Sequence, residues 1–345
     1  MMSSRKNIIA GVVFAMMLCF SCTRDHLYYK TIERGNVELI IDWSKTAFVA
    51  GSKGYDSNNF LNGVTIFVFD AATHRFVEEL PPNPDWQSPR IALAPGTYDL
   101  IVINDSRAEL PNIKFGLGMT CQDFCAYIDK EGEITTYPDY LTASTVRNVC
   151  IPSVLDDYHY DRPDEYYHDY VVEKINTVQM PVTKRVNIKV YVRGMNYCKG
   201  MQPSTLSGMA KSVNLSSQTP GKEEAVYAFN LVTREYRSSD YTEALLSHSF
   251  NSFGFNEENL KAGSKYVLTI NFVLVDNSPY TVTADITPQF EKWLEEHTIN
   301  CDLDLDIDLE LEVTLPPTTP DTPDNVGGMD PTVLPWNDVT QDITL

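Results

Sequence analysis

Apolar and polar positions alternate along much of the chain, most strictly near its C-terminal end. Leu303, Leu305, Ile307, Leu309, Leu311 and Val313 interleave with Asp302, Asp304, Asp306, Asp308, Glu310 and Glu312. A period of two turns one face to a core and leaves a ladder of carboxylates in water. The same pattern recurs from Arg185 to Arg193, with Val186, Ile188, Val190 and Val192 inward. Val37 to Trp43 puts Val37, Leu39, Ile41 and Trp43 on one face. Tyr266 to Val275 does the same with Tyr266, Leu268, Ile270, Phe272 and Leu274. Tyr280 to Ile286 is placed to pair with it across Asp276-Asn277-Ser278-Pro279. Tyr227 to Leu231 is a further strand. Val64 to Phe69 is apolar on both faces, which predicts a central strand. Ile91 to Asn104 reads as two strands joined by a tight Pro95-Gly96 turn, where Pro fixes φ and Gly supplies positive φ. Pro81, Pro82, Pro84 and Pro89 break the chain between them.

Helical signals are few. Thr287 caps and Pro288 opens a short helix whose apolar stripe is Phe290, Trp293, Leu294 and His297. Thr120 with Asp123 forms a box-like cap, which predicts Cys121 and Cys125 on one helical turn face. The pattern as a whole predicts an all-β protein with few short helices.

Composition narrows the function. The chain has 345 residues, with 47 acids against 27 Lys plus Arg, a formal charge of −20. A nucleic-acid binder needs a basic face, and acids outnumber bases here. No apolar run reaches the roughly 18 residues that span a bilayer. Length suggests about two domains.

The N-terminus is an address. Arg5 and Lys6 precede an apolar stretch of 13 residues, Ile8 to Phe20. That stretch is too short to span and suits a secretory signal. It ends in Ser21-Cys22, a small residue before a cysteine, as in a bacterial lipobox. Cys22 is therefore the candidate lipidated residue, with residues 1–21 as the signal peptide; the alternative is an ordinary cleaved signal followed by a structural Cys22. Acylation at more than one position anchors a protein firmly. Removing residues 1–21 takes away Arg5 and Lys6, so the charge becomes −20 − 2 = −22. Five cysteines besides Cys22 remain, an odd and scattered set that is no disulfide framework.

Two segments carry candidate chemistry. Asp156 to Tyr170 gathers acids, tyrosines and two of the six histidines. Carboxylates bind cations and aromatic faces stack on sugars, but clustered acids in a loop are more simply a solvated loop between domains. The Asp-x-Asp run of 302–308 lacks the Gly and closing Glu of a calcium loop. Its carboxylates are better understood as guards against edge pairing. Residues 315–335 are a Pro-rich linker, and Trp336 to Leu345 is an amphipathic strand with Val339, Ile343 and Leu345 on one face.

Four features together resemble the fimbrillin superfamily of Bacteroidales, lipoproteins that build or anchor type V pili. They are the signal ending at Cys22, the segment Leu93-Ala94-Pro95-Gly96-Thr97-Tyr98-Asp99-Leu100, the segment Leu206 to Leu215, and the tail Trp336 to Leu345. The likeness is one of layout over most of residues 22–345. It implies two tandem transthyretin-like β-sandwich domains, at residues 37–178 and 179–314. A lipidated tether would fill 22–36, and the linker and last strand 315–345. It also implies assembly with other pilus subunits by strand exchange, on the outer membrane or the fimbrium at the cell surface. In polymerising members a protease removes the first strand, and a neighbour's C-terminal strand fills the groove. Lys45 or Lys53 is the candidate cut site, and Val339, Ile343 and Leu345 mark the candidate donor strand. Anchor members keep the first strand. The alternative reading is an adhesive or glycan-binding surface lipoprotein, resting on 156–170 and Trp86. No GxSxG, HExxH or phosphate loop occurs, so no catalytic residue, metal or cofactor is expected.

Overall fold

The computed structural model describes residues 37–50, 61–117, 119–128, 134–151, 173–299 and 306–319. Its first half holds strands β1 (Val37–Asp42), β2 (Val64–Asp70), β3 (Phe76–Asn83), β4 (Arg90–Ile91), β5 (Gly96–Asn104), β6 (Lys114–Phe115), β7 (Cys125–Tyr127), β8 (Ile134–Thr135), β9 (Thr142–Ile151), β10 (Glu173–Val178) and β11 (Met180–Pro181). A three-stranded sheet, β10-β1-β4, lies over a five-stranded sheet, β11-β9-β5-β2-β3. Val37, Leu39, Ile41 and Trp43 share one core with Ile66, Val68, Leu100 and Val102. That shared core makes the two sheets a sandwich.

The second half holds β12 (Lys184–Arg193), a 3-10 turn (Met195–Tyr197), β13 (Cys198–Ala210), β14 (Ser212–Asn214), β15 (Glu224–Phe229), β16 (Thr233–Tyr236), β17 (Glu243–Ser252), helix α1 (Glu257–Lys261), β18 (Val267–Leu274), β19 (Pro279–Asp285), helix α2 (Thr287–Ile299) and β20 (Ile307–Thr314). Sheets β16-β17-β12-β20 and β19-β18-β13-β15-β8 enclose a second core. The protein is all-β, as the periodicity predicts.

The alternating runs fall where expected. Val186, Ile188, Val190 and Val192 of β12 are buried, as are Ile307, Leu309 and Val313 of β20. The two strands run parallel in unbroken register, Val186 opposite Ile307 to Arg193 opposite Thr314. Strand β2 is buried on both faces because each serves a different core. Ile66 and Val68 face β1, whereas Phe67 and Phe69 meet Phe115 and Phe124. The segment carrying those two rings also joins the halves. β7 pairs with β14, and β8 runs parallel to β15.

Three local expectations are corrected. The Pro95-Gly96 stretch is not a hairpin. β4 pairs with β1 in one sheet, while β5 pairs with β2 and β9 in the other, so the corner carries the chain between layers. Buried Ile91 of β4 and Leu100 of β5 face the same core from opposite sheets, which a hairpin would not allow. Cys121 and Cys125 do not share a helix. The Thr120 Oγ1 cap forms, accepting from the Asp123 N–H at 3.3 Å, but it closes one turn before β7 begins. The prolines of 81–82 do not break the sheet either. They lie within β3, an edge strand, where a missing N–H costs no ladder bond.

Candidate functional site

The N-terminal strand is the centre of the candidate site. β1 lies between β4 and β10, antiparallel to the first and parallel to the second. Its pairing with β10 covers all six residues. Beyond β4 the ladder continues through loop carbonyls. Leu39 N–H donates to Pro89 O at 3.1 Å and Ile41 N–H to Gln87 O at 3.0 Å. Val37 and Leu39 are 0% exposed. Burying four large apolar side chains contributes roughly 6–12 kcal/mol before entropy is counted. That is comparable to the net stability of a whole domain. Without β1 the slot between β4 and β10 would expose both an apolar floor and unpaired backbone.

A locked turn follows. Ser44 N–H donates to Asp42 Oδ1 at 2.8 Å, and this bond, with the Ser44 hydroxyl and the charge of Lys45, holds the Asp42 carboxyl below its ordinary pKa. Thr46 donates twice to Trp43 O, from its N–H at 2.9 Å and its hydroxyl at 2.8 Å. Ala47 N–H donates to Tyr140 Oη at 2.9 Å. Phe48 stands edge-on to both Trp43 and Tyr140. Lys45 is exposed in this turn, but its neighbours Trp43, Thr46 and Ala47 are buried. Trp86 is half-buried and edge-on to Trp43, whose indole N–H donates to Trp86 O at 2.9 Å. Its ring is part of the core rim.

Cys22, Lys53, the 156–170 segment, Val339, Ile343 and Leu345 lie outside the described residues.

A polar cluster that the sequence did not reveal lies on the same sandwich. The Asp99 side chain, 2% exposed, receives Arg147 Nη1 at 2.8 Å and the Asn148 N–H at 3.0 Å. Burial alone would raise the Asp99 carboxyl. The Asn148 N–H and Arg147 outweigh it and hold the group below its ordinary range. Arg147 also donates to Cys121 Sγ at 3.0 Å and to Ser216 Oγ. It thereby ties β9 to the β7 approach and to the turn after β14. The cluster resembles a nucleophile site only in residue types. Burial pushes the Cys121 thiol up, and likewise those of Cys125 and Cys198. A raised thiol is a poor nucleophile. Among the described residues no three His, Cys, Asp or Glu side chains converge on a metal position. No described helix is long and apolar enough to cross a membrane.

No family model matches the chain, and no curated protein does. Solved structures do align with it over most of its length. A candidate adhesin from Bacteroides ovatus aligns with a TM-score of 0.49 at 14% identity, over 82% of this chain and 93% of that one. The fimbrial anchor protein Mfa2 from Porphyromonas gingivalis aligns with a TM-score of 0.46 at 13% identity, over 80% and 90%. Candidate polysaccharide-binding proteins from Bacteroides thetaiotaomicron align with a TM-score of 0.47 at 9% identity, over 81% and 90%.

Proposed function

We propose that this chain is a structural lipoprotein of a surface fimbrium, an anchor or accessory subunit that keeps its first strand. Lipid on Cys22 would hold it to the outer membrane, and other pilus subunits would be its partners. The observation that carries the choice of branch is the turn around Lys45. A trypsin-like protease needs an extended segment on either side of its target. Here Thr46, Trp43 and Tyr140 hold the backbone in a tight turn against the core. Exposure of the Lys45 side chain alone does not make a substrate. With β1 retained, its own slot is filled, so this chain would offer a strand rather than accept one there. Val339, Ile343 and Leu345 are the residues it would offer.

The test is the N-terminal sequence and intact mass of the protein taken from its own outer membrane. A chain beginning at lipidated Cys22 is expected. A chain beginning after Lys45 or Lys53 would instead make it a polymerised subunit. Deleting residues 336–345 separately tests the offered strand. The shortened chain should fold and no longer join fibres, and if it still joins them the donor role is wrong.

A further inference from the structure

Among the described residues, the sheet edges of four residues or more are guarded, β19 excepted. β3 carries Glu78, Glu79, Pro81 and Pro82. β10 opens with Glu173 and Lys174. β16 has only four residues, Arg234 and Glu235 among them. β9 is bent at Asn148, which has φ 56°, where its register with β5 shifts. The edge of β20 is covered by side chains of α2. Charges, prolines, bulges, short strands and covers are the usual means of stopping edge pairing.

β19 has no charge or proline between its two end residues, no bulge, and no cover among the described residues. Its sequence is Pro279-Tyr280-Thr281-Val282-Thr283-Ala284-Asp285, uncharged until the last residue. All seven residues pair with β18 without a bulge. Pro279 occupies the first position, where it interrupts nothing. Among the described residues no other element hydrogen-bonds to its outer edge. Tyr280, Val282 and Ala284 pack against the core yet remain only partly buried. An added strand would complete their burial and pair the free backbone.

We propose that this edge is a contact between two copies of the chain, β19 pairing antiparallel with its counterpart about a two-fold axis at Val282. The strand is self-complementary in that register. Thr281 meets Thr283 of the second copy, and such Thr–Thr pairs are favourable. Tyr280 meets Ala284, and Pro279 meets Asp285, so no acid faces an acid. Asp285 is already paired with Lys265 at 3.1 Å. The charge of −20 opposes approach elsewhere on the surface. Two copies meet at least electrostatic cost along an uncharged strand. The two five-stranded sheets then join into one, in an isologous arrangement that closes on itself.

Sedimentation equilibrium of the full chain in density-matched detergent tests this. A weak dimer is expected, with a dissociation constant on the order of 10–100 μM, as suits a small interface. It should tighten as salt screens the acidic surfaces. Thr281→Lys with Thr283→Lys puts ammonium opposite ammonium in both Thr pairs. Dimerisation should weaken at least about tenfold while the thermal melt is kept, since both side chains are exposed. Val232→Lys with Thr233→Lys adds the same charge at the β16 edge and should leave the dimer unchanged or tighter. A chain that stays monomeric at all concentrations overturns the proposal, whatever other strand the edge accepts. So does a dimer indifferent to the Thr281 and Thr283 changes.

Discussion

Gln289 brackets Glu310. The Gln289 Nε2–H donates to Glu310 O at 2.8 Å, and the Glu310 N–H donates to Gln289 Oε1 at 2.9 Å. The side-chain amide thus makes the two hydrogen bonds that a neighbouring strand would make with β20. One turn further along α2, the Trp293 indole N–H donates to Asp306 O at 3.0 Å. Phe290, fully buried between them, fixes the helix in place. The acidic ladder is therefore not the sole protection of this edge. Gln289→Leu keeps the bulk and removes both bonds. It should cost about 1–2 kcal/mol in urea denaturation. It should also speed exchange of the β20 amides and promote aggregation on heating. Unchanged amide exchange would show that the bracket does not protect the edge.

Gly208 is predicted to resist any side chain. Its φ is 85°, and it sits where β13 and β15 lose register between Leu206 and Met209. A Cβ there would come within 2.7 Å of the Tyr266 ring and 3.1 Å of Lys265 O. Tyr266 cannot yield easily. It is fully buried and stacked on Phe290 at 4.3 Å, and burial pushes its hydroxyl up to about 12. Gly208→Ala should cost about 2–4 kcal/mol, combining left-handed strain with overpacking. A loss below about 0.5 kcal/mol would mean that the bulge relaxes freely.

What could be read from the sequence was what depends on near neighbours. β12, β18 and β20 alternate cleanly, and each is buried on the expected face. β17 alternates too, through Ala244, Leu246, His248 and Phe250. Leu245 on the other face and the polar residues among the apolar set hid it. β9 was hidden by the bulge at Asn148, which shifts its period. The β18–β19 hairpin was legible from its turn, but the distant pairings were not, because β1 with β10 and β12 with β20 are parallel contacts across long stretches of chain. The site divides in the same way. The exposed Lys45 was evident from its polar loop. The lock on it was not, because it comes from Tyr140, 93 residues away from Ala47.

Arg147 should matter more to stability than a half-exposed arginine usually does. Removing it leaves the Asp99 charge buried beside the Asn148 N–H and His74. Arg147→Ala should cost about 2–3 kcal/mol at neutral pH, less than stranding a fully enclosed charge, since Arg147 is partly solvated. The pH dependence checks the cause. In the parent, Asp99 titrates below its unfolded value, so its stabilisation is present above about pH 4 and lost as pH falls through the folded value. In the variant, burial is opposed only by the Asn148 N–H and His74, so the carboxyl titrates higher than in the parent and that stabilisation above about pH 4 shrinks. The gap between the two proteins should therefore narrow on acidification towards pH 4. A gap that stays constant with pH would place the effect in packing alone.

His248 makes the second core sensitive to acid. Its ring stacks on Phe229 at 5.9 Å and 4°, with Phe250 and Tyr137 also against it. Tyr137 comes from the segment after β8, so the stack spans the two halves. His248 Nε2 is buried without a hydrogen-bond partner among the described residues. Burial lowers its pKa. The sign follows directly. Below about pH 6.5 the unfolded chain takes up a proton that the folded chain refuses, so folding weakens as pH falls. The loss stops growing once pH passes the lowered folded value. His248→Phe keeps the stacked ring and cannot take the proton. Between pH 7.5 and 5.5, urea denaturation should show the parent losing more stability than this variant. Parallel pH profiles for the two proteins would mean that the imidazole is free to charge within the stack.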